Sequence, residues 1–490
     1  MPDLVASIFR GPVHDDPTLF GSEAADLEDA DLFFSYAMQR PEVTEFLDDR
    51  HLVRIVSAYK GEGKSALLRL AEQKLNDRPS KPLVIRVTGS SIAPSPSGMN
   101  EDEWIKAWKQ SIFSLLAREI GSTIKFAWSD DATSLVEEAE REGFRQRSIF
   151  GYVLDRVQHK DNPISQHKTG VVNAERTLQR WLSAKDKVWL LIDDVDHNYA
   201  NTEHYRVKLS SFLAAIKDLM VKTPELRVRF TIRPNVWQIL RRSYEGVSHF
   251  RESVLPLVWS LSECEIMVSR RVESYLQRTG EWPRIARTLP MDQRRTEAIN
   301  KLLFETPMPW GKDTWRPATV VLYTLSRHRP RWLIELIKES AKKTHKRGGS
   351  RINWDDVKDV LGTFSKNRYD DTIIEFKSHC AELPELLTAF SNQSERYSTD
   401  ELLKLLRDSV IQHVHPRISG YAFPVQPREV AQFLYEIGFL SARLDRPDGT
   451  YEHTAFADHP DLLDSRTNLD QGYSWEIHPV FRHALKLRSF

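Results

Sequence analysis

The residues best suited to chemistry stand in one short stretch, AYKGEGKS, at residues 58–65. Gly61 and Gly63 free the backbone to turn its amide groups inward, and inward-facing amides form a nest for an anion. Lys64 has a long cationic arm, and the Ser65 hydroxyl is a hard oxygen ligand of the kind that Mg²⁺ prefers. The stretch predicts a loop that holds a phosphate group together with a magnesium ion.

The spacing of this stretch follows the P-loop pattern G-x-x-x-x-G-K-[ST] at every fixed position except the first, where Ala58 replaces glycine. A lone GKS before a helix is a frequent chance match, so the motif depends on its context. Here an apolar run precedes it and a helical pattern follows it. The residues predicted to contact a nucleotide are Lys60, Gly61, Glu62, Gly63, Lys64, Ser65 and Ala66.

A second candidate site is the apolar run VWLLID at 188–193, which is followed by another acid. In this Walker B arrangement Asp193, at the end of the strand, holds Mg²⁺ together with Ser65, and Asp194 orients or deprotonates the attacking water. Taken alone, the pattern is also typical of a strand that leaves the core through a solvated acidic turn. Next to a P-loop it predicts hydrolysis of a nucleoside triphosphate.

An arginine also lies at the end of an apolar run. Arg233 closes VRFTIR, where the chain turns at Pro234. An arginine in this position is able to touch the γ-phosphate and to report its presence. The alternative is a solvated arginine at the end of a strand.

The elements that position these residues are predicted from apolar runs. The predicted strands are 52–58, 82–88, 188–193, 228–232 and 254–259. They are apolar almost throughout and alternate with helical patterns, so we predict the α/β class: a five-stranded, mainly parallel sheet flanked by helices, as in P-loop NTPases. Helical spacing at 101–120, 132–144 and 175–184 predicts a helical insertion in this core.

Beyond residue 260 the pattern becomes helical, and we predict no strand from 261 to about 426. The last residues then read as helix, strand, PDG turn, strand and helix, which is typical of a winged-helix-like module. The predicted domains are an N-terminal helical segment 1–50, a core 51–260 with an insertion 100–184, an all-α lid 261–345, a helical region 346–426 and the module 427–490.

The charge balance does not indicate a particular partner, because Lys plus Arg and Asp plus Glu both number 69. The last helix is basic, but acids precede it, so packing of the module within the protein is favoured over contact with DNA. The residues compared are Arg482, His483, Lys486 and Arg488 against Asp458, Asp461 and Asp464.

Cysteine usage and hydropathy indicate the compartment. Cys264 and Cys380 are far apart in the chain and have no His/Cys cluster nearby, which argues against a zinc site or a disulfide framework. The start of the sequence lacks a signal-peptide pattern, and no apolar run is long enough to cross a membrane. We expect a soluble cytoplasmic protein without a membrane partner.

Together, the P-loop, LLIDD and TIR resemble the STAND and NB-ARC branch of AAA-like P-loop ATPases over about residues 52–345. The resemblance implies ATP and Mg²⁺, although AAA-type ATPases more often have glutamate where this chain has Asp194. The stretch RHRPRWLIELIKESAKK is similar to the lid of STAND, KAP and origin-recognition-type ATPases, in which an arginine after a proline contacts the nucleotide. Arg331 is the best match and Arg329 the second; the alternative is a cationic helix start that uses Pro330.

A wider resemblance covers nearly the whole chain. The P-loop, the R-P-R element of the lid and the stretches at 20–38, 367–376, 434–440 and 475–485 resemble a bacterial family of P-loop ATPases found near mobile-element and phage-defence genes, in which the P-loop usually begins with glycine. It implies an ATP-dependent molecular switch that acts with further copies of itself or with an effector protein. The alternatives are a DNA-associated, origin-recognition-like ATPase and a scaffold that binds nucleotide without hydrolysing it.

Overall fold

The computed structural model describes most of the chain. The described residues are 19–22, 25–94, 100–123, 187–197, 199, 202–311, 314–447, 451–456, 458–460, 462–463 and 472–488. The helices predicted at 132–144 and 175–184 lie outside these residues, as do Asp461 and Asp464. None of the described helices combines the length and the apolar character that a membrane crossing requires.

The central element is a five-stranded sheet in which every strand pair is parallel. Its strands are β1 (Val53–Ser57), β2 (Leu83–Thr88), β3 (Val188–Asp193), β4 (Leu226–Ile232) and β5 (Val254–Pro256). They lie in the order β2-β3-β4-β1-β5. All five coincide with predicted strands, so the α/β class is confirmed. Because the strands are parallel, their carboxyl ends share one edge, which is where ligands bind in such sheets.

Helices flank this sheet and dominate the chain after it. In chain order they are α1 (Ala30–Tyr36), α2 (Pro41–Phe46), α3 (Lys64–Asn76), α4 (Gly89–Ile92), α5 (Glu101–Thr123), α6 (Glu203–Lys222), α7 (Pro234–Ser243), α8 (Leu261–Arg278), α9 (Trp282–Ala286), α10 (Arg295–Asn300), α11 (Ala318–Leu325), α12 (Pro330–Lys346), α13 (Trp354–Phe376), α14 (Leu383–Thr388), α15 (Thr399–Leu405), α16 (Gln412–Val414), α17 (Pro427–Glu436) and α18 (Pro479–Leu485). Short 3₁₀ segments occur at Ala25–Leu27 and Glu245–Ser253, and a π-helical segment at Leu406–Ile411.

By its contacts the chain forms two compact units. We call Gln39–Tyr59 with Gly63–Leu257 the core unit. The helical unit comprises the chain up to Met38, then Lys60–Glu62 and Val258–Phe490. Three residues in the middle of the predicted P-loop therefore belong, by their contacts, to the helical unit.

Aromatic packing attaches α5 and α6 to the sheet in the core unit. The Trp108 ring meets Phe212 at a centroid distance of 5.0 Å, and Phe212 meets Phe230 of β4 at 5.3 Å. The Trp108 Nε1 also donates to the Lys208 carbonyl at 2.9 Å, so the buried indole keeps a polar partner. The first helix predicted in the insertion thus packs as part of the α/β core.

A buried arginine fixes the segment that leads into β1. Arg229 is fully buried and donates to several backbone carbonyls, including those of Phe46, Asp48 and His51. Its guanidinium also lies 4.7 Å from the Trp189 ring centroid. Burial lowers the pKa of Arg229 to about 9. A buried cation is tolerated only when it is hydrogen-bonded, and here backbone carbonyls supply those bonds.

Local sequence sets where several helices of the helical unit begin. In a capping box, the side chain of the N-cap residue accepts a hydrogen bond from the backbone amide three residues later. The acidic side chain of that later residue accepts one from the backbone amide of the N-cap residue. The boxes include Ser260 with Glu263 for α8, Asn353 with Asp356 for α13, and Ser398 with Glu401 for α15.

The helical unit also contains strands where the sequence predicted none. They are β6 (Met308–Pro309), β7 (Trp315–Arg316) and β8 (Arg396–Tyr397). The prediction of an all-α stretch from 261 to about 426 is therefore wrong in these places. Each strand has only two residues, which is too short to produce a periodic pattern. β6 and β7 pair with each other across a short connection, whereas β8 pairs with a strand far along the chain.

A four-stranded antiparallel sheet forms near the end of the chain. It combines β8 with β9 (Leu440–Asp445), β10 (Tyr451–Thr454) and β11 (Ser474–Ile477), in the order β10-β9-β11-β8. The helix and the strands predicted after 427 are present, and β8 joins them from before that boundary. The winged-helix identity of this region stays a prediction.

Candidate functional site

The loop between β1 and α3 has the backbone that its glycines predict. Gly61 and Gly63 have φ of +88° and +99°, in the left-handed region that favours glycine. A Cβ built on Gly61 would lie 3.1 Å from the Cβ of Arg331, so a close neighbour as well as the torsion angle requires glycine there. Gly63 is the N-cap of α3, which begins at Lys64.

The amides of this loop have few protein partners. Within the described part of the chain, the amides of Gly61, Gly63, Lys64 and Ser65 donate no hydrogen bond. Unpartnered amides around a helix N-terminus form the donor set that binds a phosphate group. The residues present therefore fit a nucleotide phosphate.

Lys64 lies inside this site. Its side chain is 8% exposed, and its Nζ donates to the Ala58 carbonyl at 3.2 Å and lies 3.4 Å from Asp194 Oδ1. Ala58, which departs from the motif, is fully buried, and its amide donates to the Ile232 carbonyl at 3.2 Å. The methyl group of Ala58 is thus accommodated in the core while its carbonyl positions the lysine.

Asp193 is held between two hydroxyl groups. Ser65 Oγ donates to Asp193 Oδ2 at 2.6 Å, and Thr231 Oγ1 donates to Asp193 Oδ1 at 2.7 Å. Thr231 Oγ1 also accepts from the Asp194 amide at 2.8 Å. A serine hydroxyl beside a carboxylate is a hard oxygen pair that suits Mg²⁺. Sequence reasoning assigned no role to Thr231, although a hydroxyl at the end of a buried strand was a signal.

The turn after β3 presents Asp194. This residue has a left-handed φ of +47°, and its side chain is 49% exposed. A Cβ built on Gly89 would lie 2.5 Å from Val195 Cα and 2.6 Å from the Asp194 carbonyl oxygen. The start of α4 therefore approaches this turn as closely as glycine allows.

Arg233 lies at the carboxyl end of β4, but its guanidinium bonds protein groups. Its Nε donates to Asp196 Oδ2, and its Nη2 donates to the Asp196 carbonyl at 2.8 Å. The Asp196 side chain is 1% exposed and that of Arg233 is 20% exposed. A buried carboxylate in the turn after β3 thus engages the arginine predicted to touch a γ-phosphate.

The two arginines proposed for the lid differ in their surroundings. Arg331 donates its backbone amide to the Gly61 carbonyl at 3.2 Å, and in the described part of the chain its guanidinium has no hydrogen-bond or ion-pair partner. Arg329 is buried and pairs with Glu375 at 2.8 Å. Of the two, Arg331 is the one whose charge is not neutralised by a carboxylate. No local pattern indicated Glu375, because its partner Arg329 is distant in the chain.

The side chains at the site also indicate which kind of metal ion it would hold. Across the described residues, no group of three or more His, Cys, Asp or Glu side chains is placed to hold a metal ion. A magnesium ion at Ser65 and Asp193 would take its remaining ligands from phosphate oxygens and water, as Mg²⁺ commonly does.

Comparison with known proteins gives one family match. The model of the FunZ-associated C-terminal helical domain matches residues 267–373, from within α8 to within α13. A search of curated protein sequences found no match.

Several solved structures are similar to this chain. A Walker-type ATPase of Pyrococcus abyssi is 13% identical, with 86% of this chain and 94% of that chain covered and a TM-score of 0.37. The ORC2 protein of Aeropyrum pernix, in its ADPNP–ADP complexes, is 11% identical, with 93% and 95% covered and a TM-score of 0.38. RuvB of Thermotoga maritima is 13% identical, with 86% and 97% covered and a TM-score of 0.31.

Proposed function

We propose that this chain binds ATP with Mg²⁺ at the loop 58–65 and hydrolyses it as a molecular switch. One observation carries the proposal: Ser65 Oγ and Asp193 Oδ2, far apart in the sequence, are 2.6 Å apart. A P-loop serine and a Walker B aspartate have to meet in this way if they are to share one magnesium ion.

In this proposal each site residue has a separate role in binding or hydrolysis. Lys64 and the loop amides bind the phosphate oxygens, and Ser65 with Asp193 holds the ion. Asp194 orients or deprotonates the attacking water, which its half-exposed carboxylate supports. Before it does so, phosphate has to replace it as the partner of Lys64, which lies 3.4 Å away.

The remaining roles concern the terminal phosphate. The guanidinium of Arg331 pairs with no group among the residues that the structure describes, which makes it the candidate for direct contact. Arg233 contacts the γ-phosphate only if its bonds to Asp196 rearrange, and the coupling of this exchange to the nucleotide is the switch element of the proposal.

At the level of class, we propose a STAND-like or AAA-like switch of the cytoplasm, with a role in prokaryotic antiphage defence. It acts on further copies of itself or on an effector protein. In this proposal ATP hydrolysis drives a conformational change. Binding and loss of the γ-phosphate alter the surface that a partner protein recognises.

Calorimetric titration of the purified chain with ATP and Mg²⁺ tests the proposal. We expect saturable binding that Lys64→Ala abolishes and Lys74→Ala, a change in the last turn of the same helix, leaves intact. GTP in place of ATP reports base preference. Absence of binding of either nucleotide at millimolar concentration overturns the proposal.

Hydrolysis is tested separately. Asp194→Asn keeps the size of the side chain and removes the carboxylate, so we expect ATP affinity to persist while turnover falls by about 10²-fold or more. Equal turnover in the variant and the parent chain would instead support a nucleotide-binding scaffold without catalysis.

A second candidate function is a DNA-associated, origin-recognition-like ATPase. The order of the C-terminal sheet supports it, because β11 lies between β8 and β9, and α15 and α17 precede β9, as expected for the predicted winged-helix-like module. It predicts duplex binding that weakens steeply with salt. Absence of duplex affinity at low salt with ATP saturating would leave the switch as the function.

A further inference from the structure

The carbonyl groups of the segment Lys60–Glu62 accept hydrogen bonds within the helical unit, to which the segment belongs by its contacts. The indole Nε1 of Trp259 donates to the Glu62 carbonyl at 2.7 Å. The backbone amide of Arg331, in the first turn of α12, donates to the Gly61 carbonyl at 3.2 Å. Two consecutive peptide groups of the predicted P-loop are thus fixed through their oxygen atoms.

The buried ion pair of Arg329 and Glu375 contacts the backbone of Lys60, the first residue of the segment. The Lys60 amide donates to Glu375 Oε1 at 3.3 Å, and Arg329 Nη1 donates to Glu375 Oε2 at 2.8 Å. Arg329 Nη1 is also 3.5 Å from the Lys60 carbonyl oxygen. Both side chains of the pair are 4% exposed. Burial by itself would raise the pKa of Glu375, but the charge and the hydrogen bond of Arg329 lower it, so the carboxylate stays ionised.

Because the peptide bond is planar, these contacts also set the directions in which the following amide N–H groups point. In a planar trans peptide, the amide N–H points away from the preceding carbonyl. Holding the carbonyls of Lys60, Gly61 and Glu62 therefore sets the directions of the next three amides, those of Gly61, Glu62 and Gly63. These amides are the donors that a phosphate nest uses.

We propose that Trp259, Arg329 and Glu375 are positioning residues that set the phosphate-binding amides of the loop before the nucleotide arrives. The proposal rests on the ATP binding proposed above. None of the three side chains has to touch a phosphate, because they act through the amide and carbonyl of Lys60 and the carbonyl of Glu62. Arg329 is neutralised by Glu375, which separates its role from that of Arg331.

The consequence for binding is a lower ordering cost. A loop already held in its binding conformation loses less conformational freedom when phosphate binds, so its affinity is higher. Loosening the loop therefore raises Kd and KM for ATP. It changes kcat little, because the bound triphosphate holds the same amides in place.

The experiment measures ATP affinity of the full chain with a fluorescent ATP analogue in the presence of Mg²⁺. Glu375→Gln weakens the bonds to Arg329 and to the Lys60 amide, and we expect Kd to rise about tenfold. Trp259→Phe removes the Nε1 donor and keeps a large ring, and we expect Kd to rise between about threefold and tenfold. In steady-state assays KM should follow Kd while kcat stays within about twofold.

The matched control is a second arginine–glutamate pair nearby, between α12 and α13. Arg368 of α13 pairs with Glu335 of α12 at 2.8 Å, and its guanidinium lies 4.7 Å from the Trp332 ring, where that of Arg329 lies 4.5 Å away. The carboxylates paired with Arg368 are those of Glu335 and Asp371, neither of which is a loop residue. Glu335→Gln should leave Kd for ATP unchanged.

Each outcome decides the inference. A raised Kd in Glu375→Gln and Trp259→Phe, with parent-like Kd in Glu335→Gln, supports it. Unchanged Kd in both loop variants, or an equal rise in the control, overturns it while ATP binding by the parent chain keeps the proposed function. If the parent chain binds no ATP, both fail. If Glu375→Gln does not fold, Trp259→Phe against the same control gives the answer.

Discussion

At the scale of residues, the site depends on hydroxyl groups that position carboxylates. Asp193 receives one hydrogen bond from Ser65 and another from Thr231. Thr231 also accepts from the Asp194 amide, so one hydroxyl contacts both acids of the predicted Walker B pair. A carboxylate fixed in this way loses less freedom on binding a metal ion, which favours a defined coordination geometry.

This arrangement predicts the effect of Thr231→Val, which keeps the shape of the side chain and removes the hydroxyl. We expect ATP affinity within about threefold of the parent and Mg²⁺-dependent turnover lower by about tenfold to 10²-fold, the loss common for outer-shell partners of a metal site. Turnover at varied Mg²⁺ concentration measures it. Thr223→Val is the control, because Thr223 is buried and its hydroxyl has no hydrogen-bond partner within the described structure. Equal turnover in both variants would contradict the role of Thr231.

At the scale of elements, strand order explains why a third strand is needed at the site. β4 lies between β1, which leads into the P-loop, and β3, which ends in Asp193. With strands about 4.8 Å apart, β1 and β3 are separated by roughly 10 Å. Ser65 at the start of α3 and Thr231 of β4 meet at Asp193 across this gap. The parallel sheet therefore brings together residues that the sequence keeps far apart.

The close approach of α4 to the turn after β3 predicts a backbone effect. Gly89→Ala would place a Cβ 2.5 Å from Val195 Cα, and a backbone atom cannot move aside cheaply. We expect the free energy of unfolding to fall by about 1–3 kcal/mol and turnover to fall with it, since the same turn carries Asp194. Urea unfolding and steady-state turnover measure the two effects.

Gly362→Ala is the matched control for this change. Gly362 lies in α13, and a Cβ built there meets nothing within 4 Å. Because alanine is the better helix former, this variant should gain about 0.5–1 kcal/mol. A loss of stability in Gly362→Ala, or none in Gly89→Ala, would argue against the packing described here.

Glu476 of β11 predicts a pH-dependent stability of the C-terminal sheet. It accepts from His453 of β10 and from Arg482 of α18, both at 2.6 Å. Burial alone would raise the pKa of Glu476, but the hydrogen bond of His453 and the charges of Arg482, His453 and Arg443 lower it to about 2. An unfolded glutamate has a pKa of about 4.3. The stabilisation is therefore present above about pH 4.3 and is lost as the pH falls towards about 2.

The variant Glu476→Gln tests this prediction. We expect it to lose about 2 kcal/mol of unfolding free energy at pH 7 and clearly less at about pH 3, because the parent loses its own stabilisation there. Urea unfolding at the two pH values gives the difference. Glu452→Gln is the control, since that exposed glutamate pairs with the exposed Arg446. A pH-independent loss in Glu476→Gln would contradict the charge argument.

At the scale of the whole molecule, each of the two compact units combines segments that are not consecutive in the sequence. The core unit carries Lys64, Ser65, Asp193 and Asp194, whereas Lys60–Glu62 group with the helical unit. The match to the FunZ-associated C-terminal helical domain, residues 267–373, lies within the helical unit. The five predicted domains remain a proposal about finer divisions.

The charge balance of the whole chain predicts its solubility. A formal net charge of +0 near pH 7 removes the mutual repulsion that keeps proteins apart in solution. The chain has 16 histidines. An ordinary histidine gains charge as the pH falls below about 6.5, although burial lowers the pKa of His328 to about 4. We expect solubility to be lowest near neutral pH and to rise towards pH 5.5. Ammonium sulfate midpoints across this range measure it, and a flat profile would contradict the prediction.

The sequence by itself determined the P-loop, the acidic strand and all five strands of the parallel sheet. These features follow from short-range periodicity and from motif spacing, which a linear sequence displays directly. It also placed Arg233 and Arg331 as candidates, but it did not indicate their contacts.

Only the tertiary structure decided that Asp196 engages Arg233, that Glu375 neutralises Arg329, and that Thr231 joins Asp193. It also showed that β8 pairs with β11. Each of these contacts joins residues separated by many positions, and each depends on which groups are buried together. Burial makes an unpaired charge or hydroxyl costly, so the partner is chosen by packing in three dimensions, and no local pattern records that choice.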